Sequence, residues 1–266
     1  MELATSDDYR VSNQRVLEKL SEQIISGKIK PGDRIPERAL ARELGCSIVP
    51  VREALGQLIA WGVLRKAPHV GTFARSLTAE EMMAHSELRL VMYTYVVGRA
   101  AVDPDLEALD EFERALDVYE GGLRAGAERD WSALDDDDWS AFITQAIRDL
   151  MQVYAALIKT ARLATVASLY EQEELLYILS TRQFWGLMPR ESMLAYIKNS
   201  YLERPFGGFI PAVKDRDPER AQRLHREQFQ AAAHDVMSRI AAAGVELPIG
   251  ETDVVLSDVR LDFEAL

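Results

Sequence analysis

The residues best suited to chemistry near the N-terminus are donors rather than nucleophiles. Ser47, Ile48, Val49 and Arg52 open one predicted helix. Arg38 lies on the helix before it, and His69, Gly71 and Thr72 lie in or beside a tight turn further on. A guanidinium one turn into a helix can reach a phosphate or the edge of a guanine. Ser47 can cap its helix and also donate to a phosphate. Arg38 is placed to clamp a backbone, while His69 and Thr72 suit a minor-groove edge or a flanking phosphate. Taken singly, each arginine reads as an ordinary surface charge. Taken together on one scaffold, they read as a contact set for double-stranded DNA.

Other chemistry has less support. The chain contains no G-x-S-x-G, G-x-G-x-x-G, Walker A or H-E-x-x-H, so an enzyme is not expected and a helical hydrolase is only an alternative. The four histidines, His69, His85, His225 and His234, show no paired i,i+4 spacing, and no metal or cofactor is expected. Asp135–Asp138 reads as acid placed at a helix N-terminus. The single cysteine, Cys46, excludes a disulfide framework and reads as a small core residue.

Those residues need elements to hold them. Val11, Val16, Leu20, Ile24 and Ile25 recur at helical spacing, and Gly27 and Pro31-Gly32 stop that helix. A second short helix is predicted over Pro36–Leu44, ended by Gly45. Ser47 caps a third that runs to about Trp61, ended by Gly62. The spacing is that of a helix-turn-helix. Two β-like stretches follow, Val63–Lys66 and Val70–Ala74, completing a winged helix-turn-helix. Thr78-Ala79-Glu80-Glu81 is a capping box that opens a new helix, which places a linker near Arg75–Leu77. Further helices are predicted over 79–101, 105–122, 132–160, 162–180, 190–203 and 218–243, with Asp217-Pro218-Glu219 starting the last. The fold class is mainly α: a winged head over 1–75, an all-α bundle over 76–243, and a tail over 244–266 without a clear assignment. Phe206-Gly207-Gly208-Phe209 reads as a loop or hinge.

Charge follows the same division. Residues 10–75 carry 12 Lys and Arg against 6 Asp and Glu, whereas residues 76–266 carry 19 against 34. A basic head on an acidic body suits a nucleic-acid module joined to a second function. With 266 residues and 48% hydrophobic content, the chain can bury one large or two modest cores, which excludes wholesale disorder. No apolar run approaches the roughly 18 residues of a membrane span. The start, MELATSDDYR, lacks the basic and apolar regions of a signal peptide. A cytoplasmic protein with no membrane partner is expected.

The runs Gly32-Asp33-Arg34-Ile35-Pro36-Glu37, Leu40-Ala41-Arg42-Glu43-Leu44-Gly45-Cys46-Ser47 and Pro50-Val51-Arg52-Glu53-Ala54-Leu55 with Leu58 resemble the GntR family of bacterial transcription regulators. The resemblance covers residues 11–74 densely. It implies a homodimer on a near-palindromic DNA operator. One departure concerns specificity: the family usually has Arg-Thr after the serine, and this chain has Ile48-Val49. An expected base-reading arginine is therefore missing, and apolar side chains there could meet thymine methyls.

More weakly, the body resembles the effector domain of the FadR subgroup, the FCD fold. Glu87-Leu88-Arg89 with Ala100-Ala101, and Ala212-Val213 with Asp215, Asp217-Pro218 and Ala221, carry that likeness. Many members hold a metal with one Asp and three His. The resemblance puts Trp139, Ile143, Phe206 and Gln228 at those four positions, which implies a metal-free, more apolar pocket. It also makes Arg89 an inward-facing arginine with Tyr93 where a glutamate is usual, which leaves Arg89 for an anionic small-molecule effector. Tyr93, Trp139, Phe142 and Phe206 would wall the site. The expected function is a regulator, a repressor by the family's usual sense, whose ligand changes the spacing of two heads. The alternative within the family is a metal-dependent regulator with relocated ligands such as Asp138, His225 and His234.

Overall fold

The computed structural model describes residues 6–131, 135–186 and 188–242; the tail over 244–266 lies outside them. The chain forms two compact units. One contains the chain up to Leu77 together with Tyr170–Phe184, and the other contains Thr78–Leu169 and the chain from Trp185 onward.

The head is built from α1 (Ser6–Ile25), β1 (Arg34–Ile35), α2 (Glu37–Leu44), α3 (Ile48–Ala60), β2 (Leu64–Ala67) and β3 (Gly71–Ala74). Its core follows the helical spacing of α1: Val16, Leu20 and Ile24 are buried against Val51, Ala54, Leu55 and Leu58 of α3. Gly45 ends α2 in the left-handed region at φ 63°. Pro36 stands at the N-cap of α2 rather than inside it. Ser47 occupies the N-cap of α3 with extended backbone, but its side chain makes no capping hydrogen bond.

The wing is a three-stranded antiparallel sheet in the order β1-β3-β2. Strand β1 has no signature in the sequence, since two residues are too short to show alternation. Tyr170–Phe184 completes this unit. The Gln183 side-chain amide grips the Leu77 backbone twice: Leu77 N–H donates to Oε1 at 3.0 Å, and Nε2 donates to the Leu77 carbonyl at 2.7 Å. Arg182 donates through Nε to the carbonyl of Ile25, the last residue of α1, at 2.9 Å. A cation at that helix end also meets the negative end of its dipole.

The body is all helix among its described residues: α4 (Ala79–Val102), α5 (Leu106–Glu128), α6 (Asp136–Thr160), α7 (Ala164–Gly186), α8 (Arg190–Ile197), α9 (Ile210–Lys214) and α10 (Pro218–Ala242). Helix α7 runs out of this unit to supply Tyr170–Phe184 to the head. The capping box forms as expected, with Thr78 Oγ1 accepting from Glu81 N–H and Glu81 accepting from Thr78 N–H. Asp217 likewise opens α10, accepting from Arg220 N–H at 3.0 Å.

Three stretches of the body differ from expectation. Helix α5 continues through Gly121-Gly122 to Glu128, because Leu116, Tyr119, Leu123 and Gly126 keep one buried face along it. At Gly126 the approach of α6 leaves no room for a side chain: an added Cβ would sit 2.1 Å from Phe142 Cε2. The helix predicted over 190–203 instead changes to a π-turn at Lys198–Leu202. Phe206–Phe209 is a 3₁₀ turn leading into α9 rather than a free loop, and Phe206 and Phe209 are buried.

Candidate nucleic-acid interface and the helical body

Helix α3 divides into two faces. Pro50, Val51, Ala54, Leu55 and Leu58 are buried, while Val49, Arg52, Glu53 and Gly56 form an exposed stripe at helical spacing. The Arg52 side chain is 67% exposed, yet its Nε donates to Glu37 Oε2 at 3.2 Å. Glu37 begins α2, so the residue before Arg38 steers the recognition-helix arginine. No local pattern marks this pair, because the partners lie on different helices. Arg38 and Ser47 are exposed and Ile48 is half-buried.

At the wing tip, Pro68–Val70 connect β2 to β3, with Ala67 opposite Gly71. His69 is exposed and takes φ 61°, a region that histidine tolerates better than most side chains. Gly71 has φ 139°, and a Cβ there would lie 3.0 Å from Arg34 Nε. Both facts tie it to the turn. Thr72 requires a correction. It is only 2% exposed, with its hydroxyl 3.5 Å from Glu37 Oε1. Alternation along β3 turns Thr72 and Ala74 inward, so Thr72 does not stand on the outer wing. Arg65 and Lys66, which stand outside the predicted contact set, are both exposed on β2, with Arg65 packed 5.0 Å from the centre of the Phe73 ring. A groove of about 290 Å³ opens between α1, α2 and β1; no candidate base-contact residue lines it.

In the body, Arg89 is 2% exposed. Its guanidinium carbon lies 4.9 Å from the Tyr93 ring centre and 4.8 Å from that of Tyr154. The two rings stack with centres 4.2 Å apart. Phe206 packs edge-on to Tyr154 at 5.5 Å, and Phe209 and His225 extend the cluster. Burial raises the pKa of Glu120, opposed in part by the nearby backbone of Phe206 and Gly207. His225 shares a 3.1 Å hydrogen bond with Thr94 Oγ1. Burial, followed by the neighbouring Arg226 charge, lowers its pKa to about 3, so the ring is neutral.

The predicted effector residues therefore fall into separate groups. Arg89, Tyr93 and Phe206 belong to one aromatic cluster. Gln228 lies one turn beyond His225 on α10 and donates to the Ser200 carbonyl at 3.4 Å. Trp139 belongs elsewhere, packed with Trp131 at 4.9 Å, Phe142 at 5.6 Å and the Arg190 guanidinium at 5.7 Å. At 1.5 Å per residue, Trp139 lies roughly 22 Å along α6 from Tyr154, and the buried Ile143 roughly 16 Å. These two do not line one site with Arg89. Tyr154, Phe209 and His225 stand there instead, and only the α6 register could have pointed to Tyr154.

The relocated metal ligands do not converge either. His225 is buried and His234 is exposed roughly 13 Å further along α10, while Asp138 lies 3.9 Å from Arg129 at the start of α6. Among the described residues no group of three or more His, Cys, Asp or Glu is placed to hold an ion. No helix among them is long and apolar enough to cross a membrane.

A winged helix-turn-helix head joined to an all-helical body is an architecture shared with solved bacterial regulators. Residues 12–74, which span the helix-turn-helix of the head, match the family model described as bacterial regulatory proteins, gntR family. The chain is 44% identical over 107 residues to the HTH-type transcriptional regulator McbR of Escherichia coli, covering 40% of this chain and 48% of that protein. It is 34% identical over 113 residues to the gluconate operon transcriptional repressor of Bacillus licheniformis, covering 41% and 45%. These relatives are named as transcriptional regulators, and the chain spans about half or less of the length of the curated relatives it matches. The solved structure of E. coli McbR/YncC superposes with a TM-score of 0.65 at 20% identity, over 85% of this chain and 97% of that one. That likeness establishes the fold.

Proposed function

We propose that this chain is a homodimeric, DNA-binding transcription regulator, acting as a repressor, whose operator affinity responds to a small organic anion bound in an FCD-type body. The observation that carries the reading is the exposed stripe of α3, with Arg52 presented and held by Glu37. A helix of this kind fits the major groove. Arg38, Ser47 and His69 surround it with donors for phosphate. Relatives named as repressors of sugar-acid and sugar operons support the sense of regulation. The buried Arg89, set against Tyr93 and Tyr154, supports an anion as effector. A ligand that favours one conformation of the dimer over another shifts operator affinity by that difference.

The test is a mobility-shift competition at low ionic strength, using the purified full chain and fragmented genomic DNA against excess bulk competitor. Retention of discrete fragments is expected, and no preference for any fragment would refute the reading. For the body, carboxylate metabolites screened by thermal shift should stabilise the wild-type chain and not Arg89→Ala. Equal stabilisation of both would remove Arg89 from the effector site.

A further inference from the structure

We infer that the groove between α1, α2 and β1 in the head is a docking site for the chain's own residues 253–258, and that the docked segment competes with DNA for α2. Docking needs no DNA and so stands apart from the DNA-binding reading above; only the competition rests on it. The groove has an apolar floor, since Leu20, Ile29, Ile35 and Leu40 line it and are buried. Its volume of about 290 Å³ is at the small end of ligand cavities, room for a few side chains rather than a cofactor. The acids at its rim are engaged. Asp33 accepts from Lys30 N–H at 2.8 Å, and Glu43 meets Lys19 at 2.8 Å. Lys28 and Arg34, which also line the groove, are exposed, and among the described residues neither has an ion-pair partner. Arg42, beside Glu43 on α2, is exposed as well. An apolar floor with open cations at its rim suits a short apolar run flanked by carboxylates.

The sequence beyond α10, outside the described residues, contains such a run. Asp253-Val254-Val255-Leu256-Ser257-Asp258 sets three aliphatic side chains between two carboxylates. Residues 244–266 carry six Asp and Glu against one Arg, so their charge is opposite to that of the head. Ten residues separate Ala242, the last of α10, from Asp253. Fully extended they reach about 36 Å, more than the roughly 30 Å across a small domain.

Docking there bears on DNA through α2. Pro36 and Ala39 line the groove, and Arg38, a candidate for phosphate contact, is the neighbour of Ala39 and is exposed. Carboxylates held at the rim repel a phosphate approaching Arg38. A docked segment and a bound duplex therefore weaken each other, by the same factor in both directions.

The test uses the full chain, first without DNA. Val255→Ser with Leu256→Ser removes apolar side chains, keeps the charge and touches no described residue. Hydrogen exchange read by mass spectrometry should show backbone amides over 28–43 exchanging about fivefold faster in this variant, as expected of a cover that is closed most of the time. Lys28→Glu with Arg34→Glu should expose the same amides, and adding Asp253→Lys with Asp258→Lys should cover them again. Equal exchange in wild type and the tail variant overturns the docking, whether the groove is then open or covered by a second copy, and so does failure of the charge reversal to restore protection. At low ionic strength the tail variant should bind a random-sequence duplex about threefold more tightly by fluorescence anisotropy, the scale of one or two exposed ion pairs. Unchanged affinity overturns the competition, whereas failure of both proteins to bind any duplex counts against the DNA-binding reading.

Discussion

His225 gives the most quantitative prediction. It is buried among Phe206, Phe209 and Phe229, bonded to Thr94, with a pKa lowered to about 3 against an ordinary 6.5. A lowered native pKa means that the unfolded chain binds a proton which the native ring refuses. Stability is therefore intact above pH 6.5 and falls as pH drops below it, by about 1.4 kcal/mol per unit until about pH 3. Between pH 7.5 and pH 5 the loss attributable to this ring is about 2 kcal/mol. His225→Gln keeps a polar group for Thr94 but does not titrate. Urea midpoints followed by circular dichroism at both pH values, for both proteins, isolate the effect because the carboxylates titrate alike in each. Wild type should lose about 2 kcal/mol more than His225→Gln on acidification. Parallel losses would show that the ring already accepts a proton in the native state.

Three further substitutions probe other parts of the account. Arg38→Ala should weaken binding to specific and random duplexes alike and reduce the slope of log affinity against log salt by about one; an unchanged slope would place Arg38 away from phosphate. Gly126→Ala should destabilise the body by about 1–3 kcal/mol, because the ring it would meet is pinned by Trp131 and Trp139; an unchanged melting temperature would mean that α5 and α6 are not so close. Gly56→Ala should raise head stability by about 1 kcal/mol, the helix-propensity difference alone, and a loss in thermal melting would reveal a hidden clash.

The head was more legible than the body because punctuation marks its elements. Pro31-Gly32, Gly45 and Gly62 each fall where a helix stops or a turn reverses, and backbone conformation alone explains them. What escaped there depends on partners distant in sequence. The pairing of β1 with β3 and the Glu37–Arg52 bond leave no local pattern. Thr72 was misplaced although the two-residue period of its strand already set it beside the inward Ala74. In the body, the helices were readable from periodicity and caps such as Thr78 and Asp217. The segment predicted over 105–122 is too short, because the buried face of α5 carries the helix on to Glu128. Residue positions borrowed from a family pattern proved less secure than elements. Trp139 and Ile143 stand on the right helix for packing, but several turns from the ring that meets Phe206. Helix register, unlike helix existence, is decided by contacts between elements.

Whether α3 reads DNA through Arg52 is decided by a ratio. Affinities of the full chain for an enriched duplex and for its scrambled counterpart, at one salt concentration, are compared for wild type and Arg52→Ala. The wild-type ratio should be on the order of 10³ or more and should collapse towards one in the variant while weak non-specific binding persists. An Arg52→Ala protein that kept the wild-type ratio would show that α3 does not read the operator through this arginine.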